Sequence, residues 1–261
     1  MLTVSHIAKT FNPGTVNEKT AIKDLSLHLD PGDFVTIIGS NGAGKSTLFN
    51  AIAGSFLCDE GNITLDKKNI TFEPEFKRAR TIGRLFQDPM RGSAPGMTIE
   101  ENLALAAGSG GWFSHVSAKE KARFRDRLAL LDMGLEDRMK QPVGLLSGGQ
   151  RQALTLLMST MTPPKLLLLD EHTAALDPKT AAKVLETTDM IVNRDHLTTL
   201  MITHNMKDAI AHGNRLIMMM DGNIILDIRG EEKKRLTVAD LLHKFEEASG
   251  EEFASDKAIL G

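Results

Sequence analysis

The fold of this chain is decided by one stretch, Gly39-Ser40-Asn41-Gly42-Ala43-Gly44-Lys45-Ser46. Its glycines allow the backbone to curl so that consecutive N–H groups point inward and can bind an anion. The apolar run Phe34 to Ile38 precedes the stretch, and Ser46 to Ala53 follows with a helical pattern that ends at Gly54. This order of strand, glycine-rich loop and helix predicts a phosphate-binding loop.

The spacing of the loop matches the P-loop pattern G-x-x-x-x-G-K-[ST]. We expect Lys45 to reach the β- and γ-phosphates of a nucleotide and the hydroxyl of Ser46 to bind Mg²⁺. The spacing differs from G-x-G-x-x-G, which disfavours a dinucleotide site. The predicted nucleotide-binding residues of the loop are Gly39, Ser40, Asn41, Gly42, Ala43, Gly44, Lys45, Ser46 and Thr47.

Composition limits the class of protein. The 261 residues allow one sizeable core with a smaller lobe. A formal net charge of −3 gives no basic field, so we expect no nucleic-acid partner.

The single cysteine, Cys58, cannot form an internal disulfide, which fits a reducing, cytosolic setting. No apolar stretch approaches the ~20 residues that span a bilayer, and the first residues lack a signal-peptide pattern. Any membrane role is therefore expected to depend on partner subunits.

Strands are predicted where short apolar runs or alternating apolar residues are bounded by turn residues. Leu25, Leu27 and Leu29 alternate with polar residues, as in a strand with one buried face. Leu166 to Leu169 is entirely apolar, as in a central strand of a parallel sheet. By the same criteria we predict further strands at 34–38, 81–86 and 199–203, and hairpins at 61–70 and 216–228.

The pattern becomes helical between residues 88 and 164. Thr98 with Glu101, and Ser117 with Glu120, have the spacing of capping boxes at helix starts. We interpret this stretch as a helical lobe inserted into the α/β core.

Together these elements predict an α/β fold: a P-loop NTPase core with a mixed sheet, an antiparallel β subdomain and an inserted helical lobe. The predicted domain covers 1–230, and a short polar and helical tail covers 231–261. In this tail, the run Lys233-Lys234-Arg235 is balanced by Glu231-Glu232 and is expected to be solvated.

A second motif, Leu146-Ser147-Gly148-Gly149-Gln150, separates this chain from other P-loop proteins such as kinases and GTPases. Serine and glycine at a helix start offer a hydroxyl and free N–H groups to an anion. Ser147 also has the simpler interpretation of a helix N-cap. Together with the P-loop, this LSGGQ signature resembles that of the ABC ATPase family, and the resemblance extends from about Leu2 to Asp227.

The resemblance implies that ATP is the nucleotide and that two copies of the chain hold two ATP molecules between them, head to tail. In the family, the five signature residues contact the γ-phosphate bound to the other copy. Ala175-Leu176-Asp177 resembles the D-loop, which crosses the dimer interface. Asp177 is also a candidate N-cap for a helix that starts at Pro178, and both roles can hold.

The segment Leu166-Leu167-Leu168-Leu169-Asp170-Glu171 resembles the Walker B strand of the family. The resemblance implies that Asp170 binds Mg²⁺ and that Glu171 is the general base, or the residue that polarises the attacking water. From the residues alone, a solvated pair of acids after a buried strand is the alternative. The family often has proline after the glutamate; this chain has His172, so we expect a less constrained backbone and assign it no chemistry.

Two polar residues follow predicted strands and resemble further family elements. Gln87 resembles the Q-loop glutamine, whose amide binds Mg²⁺ or orients water. His204 resembles the switch histidine, which hydrogen-bonds the γ-phosphate and aligns Glu171. Taken alone, a surface glutamine and a structural histidine are the default interpretations. The resemblance thus implies Glu171, His204 and Gln87 as catalytic residues, and Ser46, Gln87 and Asp170 as Mg²⁺ ligands.

Phe11 is the candidate residue for stacking on adenine. The family often has tyrosine there, but this chain contains no tyrosine, and phenylalanine keeps the stacking face. A phenylalanine of the core is the alternative interpretation.

The resemblance also implies membrane partners. In the family, a short cytoplasmic helix of each permease subunit docks beside the Q-loop and helical lobe, which here would include residues near 88–103. Met90 and Met97 would give adaptable apolar contacts there. The chain is thus expected at the cytoplasmic face of the plasma membrane, bound to permease subunits and acting indirectly with a substrate-binding protein.

Import is favoured over export because the ATPase carries no fused membrane helices. The stretch Phe86 to Leu103 resembles a prokaryotic importer group linked to amino acids, including tryptophan and tyrosine. A soluble ABC ATPase of iron–sulfur cluster assembly and the ATPase of an exporter stay open as alternatives. A DNA-repair member is disfavoured, since only about 100 residues separate P-loop and signature. The signature argues against a P-loop kinase.

Overall fold

The computed structural model describes residues 1–108 and 116–249. Residues 109–115 of the predicted lobe and 250–261 of the predicted tail lie outside the described residues. The strands are β1 (Leu2–Phe11), β2 (Lys19–Leu29), β3 (Phe34–Ile38), β4 (Glu60–Leu65), β5 (Lys68–Asn69), β6 (Ile82–Leu85), β7 (Leu166–Asp170), β8 (Thr199–Ile202), β9 (Arg215–Met220) and β10 (Asn223–Arg229). The helices are α1 (Lys45–Ala53), α2 (Glu75–Arg78), α3 (Ile99–Ala106), α4 (Ala118–Ala129), α5 (Gly148–Ser159), α6 (Pro178–Arg194), α7 (Met206–Ala211), α8 (Gly230–Arg235) and α9 (Val238–Ser249).

The chain divides into two compact units. The first consists of Met1–Ile82, Lys165–Glu171 and the residues from His196 onward; the second consists of Gly83–Pro164 and His172–Asp195. The domain and lobe boundaries drawn from the sequence stay a prediction. No helix of the described residues is long and apolar enough to cross a membrane.

One sheet of the first unit is antiparallel, with strand order β2-β1-β4-β5. Leu25, Leu27 and Leu29 are buried, as their alternation predicts. The predicted hairpin at 61–70 corresponds to β4 and β5. At the far end of the β1–β2 ladder, Phe11 lies directly opposite Lys19.

A second sheet has the order β10-β9-β3-β8-β7-β6. β3 is parallel to both β8 and β9, β7 is parallel to β8, and β10 is antiparallel to β9. The sheet is therefore mixed, and the predicted α/β fold is confirmed. Because β3, β7 and β8 run parallel, the residues that follow them meet at one edge of the sheet, where ligands bind in open α/β folds.

Apolar runs bury these central strands. Every residue of β3 and β8 is buried, and so are Leu166, Leu167, Leu168 and Leu169 of β7. Leu48, Phe49 and Ile52 of α1 share one hydrophobic core with alternate residues of these strands, namely Val35, Ile37, Leu166, Leu168, Leu200 and Ile202. This packing fixes the strand ends and the start of α1 relative to each other.

Helices make up most of the second unit. Both predicted capping boxes are confirmed, with Thr98 and Glu101 at the start of α3 and Ser117 and Glu120 at the start of α4. Phe124, Leu128 and Leu131 are buried on one face.

The described part of the tail, α8 and α9, packs through Leu241 and Phe245 against Ile38 and Met206 of the first unit. The expectation that Lys233 is solvated is wrong. Its side chain is buried, and Nζ donates to the carbonyl oxygens of Ile210, His212 and Gly213. These carbonyls lie at the end of α7, where a buried cation satisfies orphan acceptors.

Candidate active site

The loop between β3 and α1 can be formed only with glycine at defined positions. Gly39, Gly42 and Gly44 have φ angles of +150°, +85° and +99°, in the region that L side chains avoid. A Cβ atom on Gly39 would lie 2.1 Å from the carbonyl oxygen of Met219, and one on Gly44 would lie 2.8 Å from that of Ala21. The backbone can therefore curl tightly around an anion at the start of α1.

Lys45 supplies the positive charge of this loop. It is 5% exposed, and its Nζ donates to the carbonyl oxygens of Gly39 at 2.7 Å and Ser40 at 3.0 Å. Burial lowers the pKa of Lys45, and the negative charges of Glu171 and Asp170 partly offset that effect. The ammonium is thus held within the loop and within the field of two carboxylates.

A cavity of about 300 Å³ opens beside the loop. This volume is at the lower end of the range for small-molecule sites. Its lining residues are Phe11, Lys19, Ala21, Asn41, Gly42, Ala43, Gly44, Lys45, Ser46, Thr47, Glu171 and His204. The first unit therefore brings the P-loop together with Phe11, predicted for adenine stacking, and with Glu171 and His204, two of the three residues predicted for catalysis.

Glu171 and His204 form a direct pair in this cavity. Nε2 of His204 lies 2.5 Å from Oε1 of Glu171, whose side chain is 13% exposed. The two residues follow β7 and β8, which are neighbours in the sheet. Glu171 has a φ angle of +47°, and its N–H donates to the carbonyl of Ile202 at 3.1 Å. A non-glycine residue with positive φ carries a conformational cost of about 1 kcal/mol or more, a kind of strain found at functional sites.

The donor set at the site fits Mg²⁺. Ser46 offers a hydroxyl at the start of α1, and Asp170 offers a carboxylate at the end of β7. Among the described residues there is no group of three or more histidine, cysteine or acidic side chains that could cage a metal. Few protein oxygens, completed by phosphate and water, are what Mg²⁺ ordinarily uses.

Gln87 and the signature belong to the second unit, and neither lines this cavity. Gln87 is exposed after β6. The preceding Phe86 packs between two guanidinium groups, with the Cζ atoms of Arg84 and Arg91 at 4.7 and 4.9 Å from its ring centroid. Both contacts are in the range of cation–π interactions. The Mg²⁺ and catalytic roles of Gln87 stay predictions.

Ser147 caps α5 and is exposed. Its Oγ accepts from the N–H of Gln150, and Oε1 of Gln150 accepts from the N–H of Ser147, both at 3.3 Å. The N-cap interpretation of Ser147 is therefore confirmed, and it leaves the first N–H groups of the helix for another partner. Leu146 is buried, whereas Gly148 is exposed.

Of the two signature glycines, Gly149 is the one that close packing requires. Gly148 and Gly149 are outside the positive-φ region. A Cβ on Gly149 would lie 2.0 Å from Cγ2 of Thr180, and one on Gly148 would lie 3.2 Å from Cδ2 of Leu176. Asp177 caps the neighbouring helix α6, since its Oδ1 accepts from the N–H of Thr180 at 3.1 Å. The local N-cap role weighed for Asp177 is thus confirmed.

Two site features were missed by the sequence interpretation. The first is Lys19, which lines the cavity; the sequence carried no signal for it, because its place opposite Phe11 depends on the register of β1 and β2. The second is the side chain of His172, which is buried, with Nε2 3.2 Å from Oγ1 of Thr188 in α6. This contact could not be predicted from the sequence, because Thr188 is 16 residues away in a helix.

Comparison with known proteins shows the family to which this chain belongs. The family model described as ABC transporter matches residues 22–174. The tyrosine transport ATP-binding protein of Clostridioides difficile (strain R20291) is 45% identical over 253 residues, covering 95% of this chain and 100% of that protein. The methionine import ATP-binding protein MetN of Streptococcus pneumoniae (strain ATCC BAA-255 / R6) is 34% identical over 231 residues, covering 84% of this chain and 63% of that protein.

Solved structures of ATP-binding cassettes are also similar to this chain. A dimeric post-hydrolysis state of the ATP-binding cassette MJ0796 with ADP and Pi has a TM-score of 0.75 and 27% identity, covering 88% of this chain and 98% of that chain. The ADP conformation of the ATP-binding cassette MJ1267 has a TM-score of 0.76 and 28% identity, with coverages of 96% and 99%. A P-loop cavity with a paired glutamate and histidine, a capped signature helix and these matches place the chain in the ABC transporter family, among its ATP-binding ATPase domains.

Proposed function

We propose that this chain powers a bacterial ABC importer by closing head to tail on a second copy of itself when ATP binds. The observation that carries the proposal is the Glu171–His204 pair beside Lys45 in one cavity, at the ends of neighbouring parallel strands. This arrangement supports the proposed roles of Glu171 as a base, His204 as an orienting imidazole and Lys45 as a phosphate-binding cation in one nucleotide site.

Phe11 is proposed to stack on adenine. It is half-buried at the cavity, and the ring of Phe56 contacts it edge-on with a centroid distance of 5.3 Å. Such a T-shaped contact fixes the ring of Phe11 while leaving ring surface for a base. The P-loop amides and Lys45 then hold the phosphates. Phe11→Ala should weaken ATP binding, while Phe11→Trp, which keeps a stacking face, should retain it in a calorimetric titration.

Hydrolysis is proposed to be an in-line attack by water on the γ-phosphate. The carboxylate of Glu171 takes a proton from the water as its oxygen bonds to the γ-phosphorus, and the bond to the β–γ bridging oxygen breaks to release ADP. His204 holds the carboxylate in position and donates to a γ-phosphate oxygen. Ser46, Asp170 and Gln87 would hold Mg²⁺, which when bound neutralises charge on the β- and γ-phosphates.

The second copy is proposed to complete each site. The exposed hydroxyl of Ser147 and the first N–H groups of α5 would contact the γ-phosphate held by the partner, with Leu146, Gly148, Gly149 and Gln150 shaping that surface. Asp177 would lie at the same interface. The dimeric MJ0796 cassettes among the structural relatives support this arrangement. Hydrolysis removes the γ-phosphate and its contacts, so the nucleotide state would select the dimer state.

Permease subunits are proposed to dock near residues 88–103, which would hold the chain at the cytoplasmic face of the plasma membrane. Met90 is 40% exposed at the short 3₁₀ helix Pro89–Gly92 and offers an adaptable apolar contact. Co-purification with the permease tests this surface. Met90→Asp should abolish co-purification, whereas Leu130→Asp, an equally exposed apolar residue outside 88–103, should not. Equal complex formation by both variants would contradict the docking site.

Tyrosine or a related aromatic amino acid is the proposed cargo. The support is the 45% identity with a tyrosine transport ATP-binding protein along nearly the whole chain. The experiment is ATP turnover by the complex of this chain with its permease, reconstituted in lipid with a substrate-binding protein. Turnover should rise when that protein is loaded with tyrosine and stay basal when it is loaded with methionine. Stimulation by methionine alone would contradict the cargo assignment.

A further inference from the structure

Lys19 occupies a position in the nucleotide cavity that no part of the proposed mechanism uses. It is the first residue of β2 and lies directly opposite Phe11 of β1. Side chains of directly opposed residues point to the same face of an antiparallel pair. Both side chains line the cavity, so the aromatic ring and the lysine stand side by side at its wall.

The ammonium of Lys19 reaches the P-loop. A Cβ atom built on Gly42 would lie 3.7 Å from Nζ of Lys19, which places the charge beside Gly42 of the loop. Lys45 differs, since its Nζ is bonded to the carbonyls of Gly39 and Ser40 within the loop. The cavity is thus flanked by two lysine charges, one from the α1 side and one from the β2 side.

Within 1–108 and 116–249, the ammonium of Lys19 has no carboxylate partner. Two other lysines of the first unit differ in this respect, since Lys9 pairs with Asp59 at 2.7 Å and Lys68 pairs with Glu73 at 2.6 Å. An exposed lysine without a partner is common on surfaces. One that lines a nucleotide cavity beside a phosphate-binding loop is placed to bind an anion.

We infer that Lys19 is a second nucleotide-binding cation, which contacts an oxygen of the diphosphate part that ATP and ADP share. The inference rests on the proposed nucleotide site. Phe11 lies at the end of the cavity proposed for the base, and the P-loop lies at the end proposed for the phosphates. Lys19 lies beside both. Because the diphosphate persists through hydrolysis, Lys19 strengthens binding of ATP and ADP alike. It is therefore expected to lower KM and leave kcat nearly unchanged.

The test is calorimetric titration of the Lys19→Met variant with ADP and with adenosine. The affinity for ADP should fall about 10- to 150-fold, the range for losing a charge-assisted hydrogen bond. Adenosine, added at millimolar concentration, should bind as to the wild type. Lys19→Arg should keep most of the ADP affinity. Lys23→Met is the matched control, because Lys23 is an exposed lysine of the same strand that does not line the cavity.

Three outcomes would overturn the inference. Unchanged ADP affinity in Lys19→Met would exclude a phosphate contact, and an equal loss for adenosine would place Lys19 on the base or ribose. A fall in kcat as large as the fall in kcat/KM would indicate a role in the chemical step. Failure of the wild-type chain to bind ADP would instead contradict the proposed nucleotide site itself, so the two failures are distinguishable.

Discussion

The P-loop and the signature segment are two glycine-containing helix starts that are built for different reasons. In the P-loop, Gly39 and Gly44 are required by their backbone conformation, with φ angles of +150° and +99°. In the signature, Gly149 has ordinary backbone angles and is required because Thr180 packs where a side chain would be. The first arrangement creates a concave backbone, whereas the second creates a flat helix end that stays open.

The P-loop and the signature segment also differ in charge. The P-loop contains a buried ammonium, Lys45, within the field of Glu171 and Asp170. The guanidinium nearest the signature in sequence, Arg151, is directed to the carbonyl oxygens of Gly144 and Leu146. The signature therefore offers a hydroxyl and N–H groups to an anion and adds no cation of its own. On the proposed mechanism, the P-loop cavity would therefore bind a nucleotide alone, and the signature would add contacts to a nucleotide that is already bound.

The largest expected effect comes from removing the P-loop charge. Lys45→Ala should lower the rate of ATP hydrolysis about 10²- to 10³-fold, because a preorganised cation is lost where charge develops in the transition state. The rate of ATP hydrolysis is measured as steady-state phosphate release. Lys23→Ala, the removal of an exposed lysine outside the cavity, should leave the rate unchanged. A Lys45→Ala variant that hydrolyses ATP normally would break the distinction between the two regions.

A smaller effect is expected at the signature. Ser147→Ala should lower hydrolysis about 10- to 100-fold by removing one donor to the γ-phosphate of the partner's ATP, and should leave ADP binding to the monomer intact. The variant also loses a helix cap worth about 1 kcal/mol. Ser117→Ala removes the same kind of capping box from α4 and serves as the control. If both variants lose activity equally, the effect at Ser147 is one of helix capping alone.

The smallest expected effects concern the signature glycines. Gly149→Ala should lower the free energy of unfolding by about 1–2 kcal/mol, because its methyl group would lie 2.0 Å from Thr180. Gly148→Ala meets only the end of the Leu176 side chain at 3.2 Å and should be nearly neutral for folding. Urea unfolding of the two variants compares them directly. Equal stability would mean that close packing is not the reason for glycine at 149.

Local patterns were sufficient for a large part of the fold and site. The P-loop glycines, the leucine run of β7 and the capping boxes of α3 and α4 depend on residues close in sequence, so each could be recognised there. The Glu171–His204 contact needed one further fact, namely that β7 and β8 are parallel neighbours. The resemblance to the ABC family supplied that pairing.

Features that depend on tertiary packing were not visible. Arg78 stands in a charged stretch, yet its side chain is fully buried and donates to the carbonyls of Ala51, Ile52, Thr71 and Glu73. Lys233 is buried for the same reason, since it satisfies carbonyls at the end of α7. Lys19 became a site residue only through the register of β1 and β2. Sequence patterns give the chemistry of such residues, but their partners come from distant segments.

The most direct measurement of the central claim is the mass of a Glu171→Gln variant with saturating ATP and Mg²⁺. Light scattering should give twice the monomer mass with ATP and the monomer mass with ADP, because the γ-phosphate joins the P-loop of one copy to Ser147 of the other. Adding Ser147→Asp, which keeps a helix N-cap but places a negative charge at that contact, should restore the monomer. A Glu171→Gln variant that binds ATP and stays monomeric at high concentration would contradict the account.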